Sequence, residues 1–151
     1  MPPAVGDHVP EWAMEWVDPG RMKTMAAILR DPYPVHWDRA GNERIGFGPR
    51  VINQGPLNVA YIANMLMSWA GPSSIRRLTV SFAEPVLDGD RVIAHGVVTA
   101  VHESAPDPTA ECEVWLERDG RRVVTGTAVV AIARFTNSPA PEQAEQEGST
   151  T

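Results

Sequence analysis

From Leu57 to Ala70 (LNVAYIANMLMSWA) apolar residues fall on every side of a helical projection, with Asn58, Asn64 and Ser68 the only polar positions and no charge. Pro56 suits the first turn of such a helix, and Gly71-Pro72 suits its end. A helix without a polar face has to be covered on nearly every side, so this segment predicts the centre of the core. At about 14 residues it is roughly 21 Å long, short of the ~20 residues a membrane span requires.

Upstream, Glu11 to Val17 carries the bulky, alternating residues of a strand, and Asp18-Pro19-Gly20 supplies a cap followed by an early-helix proline. Met22, Met25, Ala26 and Leu29 then recur at helical spacing until Asp31-Pro32-Tyr33-Pro34, whose prolines bias the preceding residues away from helical angles. Residues 38–50 are rich in Gly and charge and read as a loop, and Val51-Ile52 is a short apolar step.

Downstream the period changes to two. Leu78, Val80 and Phe82 alternate with Thr79, Ser81 and Ala83; Asp88-Gly89 reads as a hairpin turn; a second strand runs from about Arg91 to His102. Ala105 to Pro108 reads as a loop, after which Ala110, Cys112, Val114 and Leu116 alternate with Glu111, Glu113, Trp115 and Glu117. Asp119-Gly120 is a second hairpin turn, and Val123 to Phe135 a last long strand, with Gly126 a bulge or point of close approach. The sum is an α+β fold, an antiparallel four-stranded meander curled round one buried helix. Such a sheet leaves edges, and pairing with a second domain protects them, so a dimer is expected.

The chain has 151 residues, enough for one domain, which is placed at 1–137. Residues 138–151 (SPAPEQAEQEGSTT) have nothing large and apolar to bury and read as a disordered acidic tail. A net charge of −6 offers no general attraction to nucleic acid or anionic lipid. The single Cys112 excludes an internal disulfide and, with no leader-like N-terminus, makes a reducing, cytoplasmic location the default. Cys112 falls on the apolar face of its strand and reads as a small buried hydrophobe. His95 and His102 lack partners at metal-ligand spacing, and no metal is expected. Asp38 reads as a solvated loop charge. Met22, Met25, Met65 and Met67 read as core, with an adaptable pocket wall as the alternative.

The chemistry concentrates at Asp31 and His36, held on one stiff, proline-bounded turn. On residues alone, an acidic turn followed by histidine is a common surface feature, and Gly55 is a tight entry to a helix. Asp31-Pro32-Tyr33-Pro34-Val35-His36, however, resembles the D-x-N-P-[IVL]-H motif of the MaoC-like, hot-dog (R)-specific enoyl-CoA hydratases. Arg50-Val51-Ile52-Asn53-Gln54-Gly55 resembles the segment leading into that family's central helix, and Ser81 to Val98 its F-x-x-P-V-x-x-G-D strand turn. Together these cover roughly residues 20–135. The stretch from Arg30 to Leu66 looks most like small actinobacterial subunits that hydrate enoyl-CoA intermediates in steroid side-chain degradation.

The resemblance implies a single hot-dog domain that adds water to a trans-2-enoyl-CoA. Asp31 and His36 would activate the water, and the Gly55 N–H would stabilise the thioester oxygen. Tyr33, Asn53 and Gln54 would line the substrate, and Arg76 and Arg77 would meet the phosphates of coenzyme A. No separate cofactor is implied, since coenzyme A is part of the substrate. Tyr33 stands where the motif has Asn, and Gln54 where it has His. Two alternatives stay open: a non-catalytic or half-site subunit of a heteromeric hydratase, which the Tyr33 departure favours, and a hot-dog thioesterase. The partner is accordingly a second copy or a second hot-dog subunit.

Overall fold

The computed structural model describes residues 2–103 and 107–132. The elements run β1 (His8–Met14), α1 (Pro19–Leu29), a 3-10 turn (Pro34–His36), α2 (Arg39–Arg44), α3 (Gly55–Ala70), β2 (Ile75–Phe82), β3 (Val92–His102), β4 (Thr109–Arg118) and β5 (Arg121–Ala131). They form one antiparallel sheet in the order β1-β3-β4-β5-β2, curled against α3. This is the α+β, single-domain hot-dog architecture that the residue pattern and the motifs imply.

The centre of the core is where the uncharged helix placed it. Leu57, Asn58, Tyr61, Ile62, Met65 and Leu66 are buried, a stripe at i, i+3, i+4 and i+7 spacing. It meets the inward residues of the sheet, among them Val92, Ala94 and Val98 of β3, Val114 and Leu116 of β4, and Val124 and Val130 of β5. The covering is one-sided, however. Val59, Ala60, Ala63 and Met67 on the opposite face are half-buried, and Ser68 is exposed. A single five-stranded sheet has only one concave face to offer, so one flank of the apolar helix is left partly open.

Three expectations are corrected. The strands do not form a four-stranded meander: β3, β4 and β5 do, but β2 pairs with β5 at one edge and β1 takes the place beside β3. Asp88-Gly89 is therefore no hairpin between paired strands but a turn in the connection that carries the chain from one edge of the sheet to the other side. A turn sequence fixes local backbone, with Gly89 at φ +79°, and says nothing about which strands end up adjacent. Second, residues 38–50 are not all loop. Asp38 Oδ1 accepts from Gly41 N at 2.9 Å and starts α2, so Asp38 is a helix cap rather than a free loop charge. Third, β1 occupies His8–Met14 and not residues 11–17, the chain leaving the sheet before Asp18 caps α1.

Asp119-Gly120 is a true hairpin turn, with φ of 49° and 74° at its two residues, as a two-residue turn between twisted strands requires. Gly126 is a point of close approach. It faces Val80 of β2 in the ladder, and a Cβ there would lie 2.1 Å from the Thr79 carbonyl oxygen. The last strand ends at Ala131, with Ile132 already outside it; residues 133–135 of its expected extension, the 138–151 tail and residues 105–106 of the expected loop lie outside the described residues.

Two outcomes are expected. Gly126→Ala forces β2 and β5 apart and lowers stability in urea titration by about 2 kcal/mol, the usual scale of overpacking. Cys112 is 1% exposed, and burial pushes its thiol up to about 11. The folded protein therefore reacts with a thiol reagent at pH 8 far more slowly than the urea-unfolded chain. Because the folded value is the raised one, this group's contribution is intact below the unfolded thiol's pKa and is lost as pH climbs from there toward 11.

Candidate active site

The turn carrying Asp31 and His36 is fastened at both ends. Helix α1 ends with Arg30 in left-handed backbone at φ 52°, and Asp31 N reaches back to Ala26 O at 2.9 Å. Asp31 Oδ1 then accepts from Tyr33 N at 3.0 Å, which folds the carboxylate over its own turn. On the far side Val35 is buried, and its carbonyl accepts from Ile52 N at 2.9 Å and from Asn42 Nδ2 at 2.8 Å. Asn42 also donates to the Arg50 carbonyl at 3.0 Å, so this 1%-exposed amide on α2 staples the histidine turn to the 50–52 segment.

That segment is held in turn by the turn before β3. Asp88 Oδ1 accepts from Val51 N at 2.8 Å, Asp88 N donates to Val51 O at 2.9 Å, and Ile52 forms a bridge with Leu87. Arg39 and Arg50 pair with Asp88, and Arg50 and Arg118 with Asp90. Val51, Ile52 and Asn53 are thereby locked beside His36.

The consequence appears at the imidazole. His36 Nδ1 lies 2.6 Å from the Ile52 carbonyl oxygen. A carbonyl only accepts, so Nδ1 carries the proton and Nε2 is left with a free lone pair. Asp31 Oδ2 lies 3.6 Å from Nε2, too long for a hydrogen bond. The carboxylate and the imidazole lone pair are both acceptors, so a molecule with two O–H donors beside them bridges the pair.

Beside this pair opens a cavity of about 470 Å³ whose lining includes Tyr33, His36, Asn53, Gly55, Asn58 and Phe82. Gly55 is the first residue of α3, so its N–H has no partner inside the helix, and the Gln54 side chain does not cap it. The Phe82 ring packs where a side chain on Gly55 would stand, 3.2 Å from the position of its Cβ. A glycine here lets the helix entrance and the strand end close on one another.

The expected site residues are thus partly brought together. His36, Tyr33, Asn53 and Gly55 share the cavity, whereas Asp31 does not line it and lies 3.6 Å from His36 Nε2. Tyr33 is 61% exposed with its ring edge-on to His36 at 6.1 Å, so it borders the entrance instead of bracing the turn as an amide would. Gln54 does not line the cavity: it is 1% exposed, and its Nε2 donates to the Met22 carbonyl at 2.8 Å, tying α1 to the start of α3. Arg76 and Arg77 are exposed at the beginning of β2, about five residues and so roughly 17 Å along the strand from Phe82. None of the four methionines lines the cavity; Met22 and Met65 are fully buried core. Among the described residues no group of His, Cys, Asp and Glu is placed to hold a metal, and no helix is long and apolar enough to cross a membrane. Asn42 and Asp88 escaped sequence reasoning because each acts through backbone groups distant in sequence; a buried asparagine in a charged loop leaves no spacing signal.

An antiparallel sheet curled round a central helix defines the hot-dog class. Within it, residues 6–115 match the model of the MaoC like domain, and the chain belongs to that family. Among solved structures it is similar to the (R)-hydratase from A. caviae involved in PHA biosynthesis, at 28% identity over 86% of this chain and 97% of that one, with a TM-score of 0.76. It shares its fold with R-hydratase PhaJ1 from Pseudomonas aeruginosa at 24% identity, 85% and 81% coverage and a TM-score of 0.75. It also shares it with the ChsH1-ChsH2 complex from Mycobacterium tuberculosis, at 24% identity, 86% and 98% coverage and a TM-score of 0.73. No curated protein matches the chain by sequence.

The tautomer is directly observable. Nitrogen-detected NMR of the protein at pH 8 should show His36 Nδ1 as the protonated, pyrrole-type nitrogen and Nε2 as the pyridine-type one; the reverse assignment would contradict the Ile52 bond.

Proposed function

We propose that this protein hydrates a trans-2-enoyl-CoA to the 3-hydroxyacyl-CoA. The observation that carries the reading is the pair of facing acceptors, Asp31 Oδ2 and the lone pair of His36 Nε2, 3.6 Å apart. A water donating one O–H to each has its oxygen lone pairs free for C3 of the enoyl group. As the C–O bond forms, His36 takes a water proton, the C2=C3 pair shifts toward C1 and charge gathers on the thioester oxygen, to which the Gly55 N–H at the positive end of α3 donates a hydrogen bond. Return of the proton to C2 completes the addition of H and OH. Family membership and the likeness to the A. caviae (R)-hydratase support hydratase or dehydratase chemistry in general.

Assembly belongs to the same proposal. Of the two sheet edges, β1 is blunted by Pro10 and by a register break between Val9 and Trp12, whereas β2 runs regularly from Arg77 to Phe82 without a proline. We assign β2 as the edge that pairs with a second hot-dog subunit, either a copy of this chain or a paralogue. Two-fold antiparallel pairing brings the partner's Arg76 and Arg77 toward Phe82 and Glu84 at the cavity. That places in trans the cations coenzyme A phosphates need, which no residue lining the cavity provides. The ChsH1-ChsH2 structure, a complex of two chains, motivates testing the heteromer.

The test is disappearance of the conjugated enoyl absorbance, with substrates from crotonyl-CoA to steroidal enoyl-CoAs, for the protein alone and co-expressed with a second hot-dog subunit. Asp31→Asn and His36→Ala are each expected to lower kcat by about 100-fold or more; Asp31→Asn leaves Tm unchanged, and His36→Ala, which gives up the Ile52 bond, is assayed below its own melting transition. Unchanged rates overturn the assignment, and release of free thiol from a saturated acyl-CoA would replace it with thioester hydrolysis.

A further inference from the structure

We infer that Asn58 is the second hydrogen-bond donor to the thioester oxygen, completing a site that the backbone alone leaves half-built; the inference rests on the hydration reading. At the entrance of α3 only one backbone N–H is available. Pro56 has none, and the N–H groups of Leu57 and Asn58 both turn back to the Gln54 carbonyl, at 3.0 and 3.2 Å. Gly55 remains, and oxyanion stabilisation generally draws on more than one aimed donor.

Asn58 stands one turn further on. It is 3% exposed, lines the same cavity as His36 and Gly55, and is one of the few polar residues in an otherwise apolar helix. Residues three apart on a helix are neighbours about 5–6 Å apart, the span across which two donors share one oxygen at ~2.9 Å each. Its amide is oriented: Asn58 Oδ1 accepts from Asn53 Nδ2 at 2.6 Å, which keeps the oxygen occupied and leaves the Nδ2 hydrogens to spare. Asn53 is fixed by its own N–H to the Val86 carbonyl at 2.7 Å, and its Nδ2 lies 3.4 Å from the Tyr61 hydroxyl.

The amide pair is not satisfied within the protein. Asn53 Oδ1, like Gln54 Oε1, is buried and has no partner among the described residues; as an acceptor it calls for a donor, so it is the Asn58 amide nitrogen that a substrate oxygen meets. Two asparagines held for packing alone would sit better as apolar residues of the same size. At the wall of a cavity that receives a polarised carbonyl, the spare Asn58 Nδ2 donor has a use. When water adds to C3 and the electron pair of the double bond reaches the thioester oxygen, Gly55 N–H and Asn58 Nδ2 flank that oxygen, and both bonds relax when C2 takes its proton.

The experiment pairs a static readout with a kinetic one. Butyryl-CoA, labelled with ¹³C at the carbonyl and unable to react, is bound to the protein and its carbonyl stretch is followed by isotope-edited infrared spectroscopy. In the wild type the band is expected to move to lower wavenumber than in free butyryl-CoA. Asn58→Leu is expected to lose about half of that displacement and Asn58→Ser, which keeps a donor, to retain most of it. With crotonyl-CoA, Asn58→Leu is expected to lower kcat by about 10²- to 10³-fold while KM moves less than threefold, and Asn58→Ser to recover at least tenfold. An undisplaced band in the wild type overturns the inference without any variant. So does an Asn58→Leu protein that melts normally and keeps kcat within threefold. A displaced, Asn58-dependent band in a protein that hydrates no enoyl-CoA supports the donor assignment and overturns the hydration reading instead.

Discussion

The proton on His36 Nδ1 has one place to go, the Ile52 carbonyl, and the rest of the site depends on that bond. A carbonyl only accepts, so it fixes the tautomer and leaves the Nε2 lone pair turned to Asp31. The bond also couples two segments far apart in the chain. Ile52 belongs to the strand-like step leading into α3, while His36 belongs to the turn after α1. A displacement of either moves the lone pair off the space it shares with Asp31. The fold answers this by connecting the two segments twice more, through Ile52 N to the Val35 carbonyl and through Asn42.

Charge holds the outside of that connection. Individually, ion pairs as exposed as those of Arg39 and Arg50 contribute about 0–1 kcal/mol, too little to explain a cluster of three arginines round Asp88 and Asp90. Their effect is positional. With its charge compensated, Asp88 is free to accept the Val51 N–H, and the Asp88-Gly89-Asp90 turn becomes a clamp on the segment that presents Ile52 and Asn53. A hydrophobic substitute would fill the space as well, but it would not bond the backbone of residue 51.

Much of this was legible in the chain. An uncharged helix flanked by proline and glycine announces a core, period-two alternation announces its cover, and both are there. The class of fold followed from those two features, and the Asp31/His36 turn from two prolines and a motif. Strand order was not legible, because Asp88-Gly89 specifies a turn without specifying neighbours; β2 is sent to the far edge by its ladder with β5, including the Gly126 contact that only the folded chain reveals. Likewise Gln54 and Asn53 are adjacent in a motif yet point to different tasks, one tying α1 to α3 and the other joining Asn58. Adjacent residues diverge wherever the chain turns into a helix, and sequence proximity carries no information about which faces the cavity.

Assembly and chemistry meet at Phe82. Its ring stands over Gly55, and its backbone ends the sheet edge that carries no proline and runs in regular register from Arg77 to Phe82. A subunit added at β2 therefore touches the roof of the helix entrance and covers a ring that is 54% exposed in the single chain. Water exclusion strengthens every donor aimed at a developing oxyanion, so a closed β2 edge and an effective Gly55 N–H are physically the same requirement.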